Sequence, residues 1–140
     1  MKDESQTPAA VPKRILVVDD NADIRNLISL ILTSESYEVL VVESGAEIVE
    51  KIALFNPDLL LLDIMMPHIS GFEVLESVRS LPNAQLSSIP IVMITAKSMD
   101  ADVERAIALG ANSYIVKPFR AAVLKQKINA ELATGARDGR

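Results

Sequence analysis

Short apolar runs alternate with amphipathic stretches along most of the chain. The runs are Ile15–Val18, Val39–Val42, Leu59–Leu62, Ile91–Ile94 and Ser113–Val116, each of strand length. After each run, apolar residues return at helical spacing. Ile24, Leu27, Ile28, Ile31 and Leu32 line one helix face, and Ile48, Ile52 and Phe55 a second. Val74, Val78 and Leu81 form a third stripe, Met99, Val103 and Ile107 a fourth, and Leu124, Ile128 and Leu132 a fifth. Helix starts are signalled too. Asn21 is an N-cap residue, and Ser44-x-x-Glu47 and Ser70-x-x-Glu73 have the form of capping boxes. Gly110 sits where a helix would need a left-handed C′ residue.

Five βα units in succession predict an α/β protein with a parallel sheet. The best-defined strands are continuous apolar runs, as expected for strands covered on both faces. Crossovers should be right-handed. Residues 1–12 are polar with two prolines and read as a disordered leader, residues 13–133 as one domain, and residues 134–140 as a flexible tail.

Composition narrows the chemistry. The chain has 140 residues, a length suited to one domain. It has no cysteine, which excludes disulfides and thiolate metal sites. Its net charge is −5 and its basic residues do not cluster, so no direct nucleic-acid contact is expected. No apolar run approaches the roughly 18 residues of a membrane span, and no signal-peptide core is present. A cytoplasmic protein without a membrane partner is expected.

In open parallel sheets, ligands bind outside the carboxyl ends of the strands. The residues that follow the strands are therefore informative. Asp19 and Asp20 follow the first, Glu43, Ser44 and Gly45 the second, Asp63 the third, Thr95 the fourth, and Lys117 and Pro118 the fifth. Taken singly, each is ordinary turn or cap chemistry. Gathered on one edge, the carboxylates repel by roughly 3 kcal/mol per pair at about 5 Å and an effective dielectric near 20. A cation would relieve that cost. Hard carboxylates without His or Cys suit Mg²⁺. A carboxylate beside Mg²⁺ can attack phosphorus and form an aspartyl phosphate. In that reading Asp63 is the nucleophile at the rigid end of Leu59–Leu62, Lys117 clamps a phosphoryl oxygen, and Thr95 donates a hydrogen bond to the phosphoryl group.

The segments "ILVVDDN", "PDLLLLDIMMPHISGFE", "IPIVMITA" and "GANSYIVKPF" resemble the receiver domain of two-component response regulators, the CheY-like family, over about Lys13 to Leu132. The resemblance implies a flavodoxin-like (βα)5 doubly wound sheet of order 2-1-3-4-5. It implies Asp63 as phosphoacceptor, Asp20 as direct metal ligand, Asp19 as a ligand through water, and the backbone carbonyl of Met65 as a further ligand. Mn²⁺ should substitute for Mg²⁺. It implies Thr95 and Tyr114 as switch residues, Ala96 as a small residue that leaves the phosphoryl group accessible, and a cis peptide between Lys117 and Pro118. The donor would be a sensor histidine kinase or a phosphotransfer protein. Phosphorylation would reshape the face made by the helix around Val103, the strand Ser113–Val116 and the last helix, and a downstream protein would read it. Self-phosphorylation and autodephosphorylation would be the weak activities of a signalling switch that is not otherwise an enzyme. A phosphorylation-dependent homodimer through the same face is left open.

The sequence departs from the family in two places. His68-Ile69-Ser70-Gly71 stands where a Met-Asp-Gly loop is common, with Ser70 keeping the cap. Asn112-Ser113 stands where DNA-binding relatives of the winged-helix type often carry an acidic pair for dimer salt bridges, which argues against that dimer. Other residues have plain readings. His68 is a surface loop residue, the Met65-Met66 pair is packing, and Lys97 solvates a helix start. Ser44-Gly45 lacks the rest of a nucleotide-binding loop. Two other function classes compete. A constitutive adaptor would not need Asp20, Asp63, Thr95 and Lys117 together. A flavin carrier would want aromatic rings, and the chain has two Tyr and no Trp.

Overall fold

The computed structural model describes residues 11–96 and 100–135. Residues 1–10, Lys97, Met99 and residues 136–140, for which the sequence carries expectations, lie outside the described residues. Five strands form one sheet: β1 (Arg14–Val18), β2 (Glu38–Val42), β3 (Leu59–Asp63), β4 (Ile91–Thr95) and β5 (Ser113–Val116). The helices are α1 (Ala22–Thr33), α2 (Ile48–Phe55), α3 (Gly71–Arg79), a single turn α4 (Ala84–Ser87), α5 (Asp100–Ala108) and α6 (Ala121–Gly135). All strand pairs are parallel, in the order β2-β1-β3-β4-β5. The 2-1-3-4-5 order of a flavodoxin-like sheet is thus observed.

Strand side chains alternate between two cores. Leu16, Val18, Leu60, Leu62, Ile91 and Met93 face α2, α3 and α5 through Ile48, Ile52, Phe72, Val74, Val78 and Ala106. Ile15, Val17, Leu59, Leu61, Val92 and Ile94 face α1 and α6 through Ile28, Ile31, Leu32, Leu124 and Ile128. The leucines of β3 are fully buried, two on each face. Each contributes about 2 kcal/mol by area, and truncation to Ala adds a cavity cost. This double anchorage is why the end of β3 is a rigid place for a side chain.

Caps and stripes largely follow the sequence pattern, with informative exceptions. Asn21 Oδ1 accepts from Ile24 N–H at 3.0 Å, and Ser70 Oγ accepts from Glu73 N–H at 3.3 Å. Gly110 ends α5 with φ +113, its N–H bonded to Ile107 O and that of Ala111 to Ala106 O, a Schellman closure. The Ser44 box is not formed. Ser44 Oγ accepts from Ala46 N–H at 3.0 Å instead, and α2 begins at Ile48 behind Glu47, whose side chain makes no cap bond. Gly45 lies close to α3, where a Cβ would sit 2.3 Å from Val74 Cγ2. The stripe of α5 is also shifted. Ala106 is buried, whereas Ile107 is 47% exposed. Arg105, exposed, lies over the Phe72 ring at 4.1 Å. Leu27 of the α1 stripe is likewise exposed. The turn α4 has no counterpart in the sequence reading; Asn83 Oδ1 caps it, accepting from Gln85 and Leu86 N–H.

Candidate functional site

Parallel strands bring all five carboxyl ends to one edge. Asp19 leaves β1, Asp63 ends β3, Thr95 ends β4, and Lys117 follows β5. Asp19, Asp63 and Thr95 are 0%, 3% and 2% exposed, while Asp20 is open to solvent. The three carboxylates each offer an oxygen within 4.8 Å of the others. Lys117 Nζ lies 3.2 Å from Asp19 Oδ2 and 3.7 Å from Asp63 Oδ2. With all three acids ionised, three negative charges face one positive charge.

The backbone holds these groups tightly. Asp19 N–H donates to Val42 O at 3.2 Å, and Asp19 Oδ1 accepts from Asn21 N–H at 2.9 Å. Asp19 Oδ2 is buried and makes no hydrogen bond, being faced instead by the Lys117 charge. Asp63 Oδ1 accepts from Met65 N–H at 3.2 Å. Lys117 N–H donates to Thr95 O at 2.7 Å, which ties the end of β4 to the loop carrying the lysine. The Lys117–Pro118 peptide is cis. Gly71 N–H donates to Ile64 O, and a Cβ on Gly71 would sit 2.3 Å from Asp63 O. Only glycine allows α3 to start this close to the end of β3.

These contacts set the charge state of Asp63. Burial pushes its carboxyl up to about 7, and the Asp19 carboxylate pushes the same way. The Lys117 ammonium and the Met65 N–H oppose the rise, and Asp20 adds a smaller increase. A half-protonated buried Asp beside two acids is an unfavourable arrangement for the bare protein. It suits a site that takes up positive charge. The donors are hard oxygens, one of them a buried atom without a hydrogen bond, and Asp20 leaves a solvent-facing side where a cation keeps water. The residues fit a hard divalent cation.

Other expected site residues are placed as follows. Ala96 is exposed just beyond Thr95, and Met65 is exposed beside Asp63. Tyr114 is half-buried, with Lys127 Nζ 5.6 Å from its ring centre. Asn112 and Ser113 make internal bonds: Asn112 Oδ1 accepts from Ile91 N–H and from Arg79, and Ser113 Oγ accepts from Lys127. Glu43 stays out of the acidic cluster and faces Arg25. His68 is exposed at a left-handed turn, φ 72, and Met66 packs against the core.

Residues 15–129 match the family described as Response regulator receiver domain. The chain belongs to that family. The receiver resembles the DNA-binding response regulator MtrA of Mycobacterium tuberculosis, at 36% identity over 86% of this chain and 50% of that protein. It resembles the transcriptional regulatory protein AfsQ1 of Streptomyces coelicolor at 36% identity, over 91% of this chain and 54% of the relative. The chain thus spans about half the length of the curated relatives it matches. Among solved structures, the chemotaxis response regulator CheY4 of Vibrio cholerae superposes with TM-score 0.80 at 30% identity, covering 86% of this chain and 99% of that one. A response regulator of Chloroflexus aurantiacus gives 0.82 at 32% identity, covering 88% and 99%. The receiver is therefore a signalling domain of two-component response regulators, with an acidic pocket that could hold a metal. Among the described residues, no helix is long and apolar enough to cross a membrane.

Sequence reasoning missed two arginines. Arg79 is part-buried at the opposite edge of the sheet, where burial lowers its pKa from the usual value. Arg25 lies beside the acidic loop. Arg79 gave no sequence signal. Arg25 did: a cation at the fourth position of a helix opposes the dipole, and such a placement asks for a partner.

Proposed function

We propose that this receiver takes a phosphoryl group on Asp63 from a histidine kinase or phosphotransfer protein in the cytoplasm, with Mg²⁺ held by Asp19, Asp20, Asp63 and the Met65 carbonyl. The observation that carries the reading is the buried, acid-crowded Asp63 with Lys117 at 3.7 Å. Mg²⁺, when bound, neutralises charge on the phosphoryl oxygens, and Mn²⁺ does the same. An Asp63 carboxylate oxygen attacks phosphorus. The O–P bond forms as the P–N bond to the donor imidazole breaks, and that electron pair returns to the ring nitrogen. Lys117 binds a phosphoryl oxygen, and the Thr95 hydroxyl donates to another. Ala96, small and exposed, leaves room for the donor.

Recruitment of Thr95 and inward rotation of Tyr114 then reshape the face of α5, β5 and α6, which a downstream protein reads. The DNA binding named for MtrA belongs to a protein of which this chain matches only half; the acidic charge of this chain supports a protein target. Water slowly removes the phosphoryl group.

Intact mass after incubation with acetyl phosphate tests this reading. A gain of one phosphoryl group with Mg²⁺, lost with a chelator and in Asp63→Ala, is the expected result. An equal gain in Asp63→Ala, or without divalent metal, overturns the assignment.

A further inference from the structure

Arg25 turns back from the first turns of α1 over the acidic loop. One guanidinium nitrogen donates to the Asp19 carbonyl at 2.8 Å, and the other lies 3.9 Å from Glu43 Oε1 in the β2–α2 connection. The side chain is largely buried. The Asp19 carbonyl belongs to the peptide that joins Asp19 to Asp20. Fixing that oxygen fixes the peptide plane, and with it the point from which the Asp20 side chain starts. Asp19 is otherwise secured by Val42, Asn21 and Lys117. Asp20 stands at the solvent side of the cluster and takes its orientation from this peptide.

We infer that Arg25 is a positioning residue for the cation site, holding the Asp19–Asp20 peptide so that the Asp20 carboxylate stays aimed into the cluster. The inference rests on the metal reading given above. Two effects of Arg25 have opposite signs, which makes it testable. As a charge alone it repels a divalent cation, so its removal would tighten binding. As an anchor it pre-arranges a ligand, so its removal weakens binding.

The experiment is a Mg²⁺ titration of the whole chain, followed by backbone amide NMR shifts, for wild type, Arg25→Met and Arg25→Lys. Arg25→Met is expected to lower Mg²⁺ affinity about tenfold, the low end for loss of a partner that orients a metal ligand. Arg25→Lys, which keeps one donor, should recover part of that loss. Without metal, Arg25→Met should move the Asp20 and Asn21 amide shifts and leave those of β4 in place. Unchanged or tighter Mg²⁺ binding in Arg25→Met overturns the inference. A wild-type chain that shows no response to Mg²⁺ overturns the metal reading itself, and this inference with it. Should Arg25→Met fail to fold, Arg25→Lys decides, because it keeps the charge and alters only the donor geometry at the Asp19 carbonyl: a loss of about twofold in Mg²⁺ affinity is expected, at the weak end of what a disturbed ligand-orienting partner costs, and unchanged or tighter binding is the contrary result.

Discussion

The two edges of the sheet are built on opposite principles. At the amino-terminal edge the part-buried arginines are answered by polar partners. Arg79 donates to Gly110 O, Ser87 O, Ile89 O and Asn112 Oδ1, at 2.7 to 3.0 Å, and so joins α3, α4, the end of α5 and the start of β4. Beside it, Arg14 N–H donates to Asp58 Oδ2 and its guanidinium to Phe55 O. At the carboxyl-terminal edge, three acids gather beside a lysine that pairs with two of them, Asp19 and Asp63, and a buried carboxylate oxygen has no hydrogen bond among the described residues. The same fold can satisfy its buried charges, as the first edge demonstrates. The unanswered charge at the second edge marks the place where something from outside is expected to bind.

The strongest way to sharpen this contrast is to damage the satisfied edge. Arg79→Met leaves several carbonyls without donors and should cost about 3–5 kcal/mol, or roughly 10–20 °C in Tm. Thermal unfolding checks the cost, and Mg²⁺ affinity should be unchanged because the acidic cluster is untouched. A melt within about 2 °C of wild type would mean that Arg79 is dispensable and that the two edges do not differ in this way.

The unsatisfied edge should respond with the opposite sign. The Asp63 carboxyl is raised from 3.8 to about 7. Between those values the folded chain keeps a proton that the unfolded chain has lost, so the group's contribution to stability falls as pH rises and levels off above about 7. Asp63→Asn removes the charge and keeps the shape. In metal-free buffer it should be more stable than wild type at pH 7.5 by about 1–2 kcal/mol, with little difference near pH 4. Added Mg²⁺ should narrow the gap by stabilising wild type. A pH-independent difference, or a destabilised variant, would break the comparison.

Much of the site was legible because parallel topology converts sequence into position. Any residue that follows an apolar run lands on the same edge, so Asp19, Asp20, Asp63, Thr95 and Lys117 could be gathered from the runs before them. The caps at Asn21 and Ser70 were equally local. What escaped depends on distant partners. Ser44 instead accepts from Ala46 N–H, and α2 begins only at Ile48, in a connection whose Gly45 lies against Val74 on another helix. Ile107 is exposed while Ala106 is buried, a rotation of the buried face that the local spacing did not show. Arg79 reaches a carbonyl 31 residues away, and no local pattern encodes that. The family resemblance supplied the sheet order and the roles proposed for Met65 and Tyr114, which spacing alone does not carry.

The most direct test of the central claim is the position of the phosphoryl group. Wild-type chain treated with acetyl phosphate and Mg²⁺ would be reduced with borohydride, which converts an aspartyl phosphate to homoserine, and then mapped by peptide mass. The account predicts homoserine at position 63, with Asp19 and Asp20 unmodified. Modification at Asp19 or Asp20, or phosphate retained on His68, would contradict it.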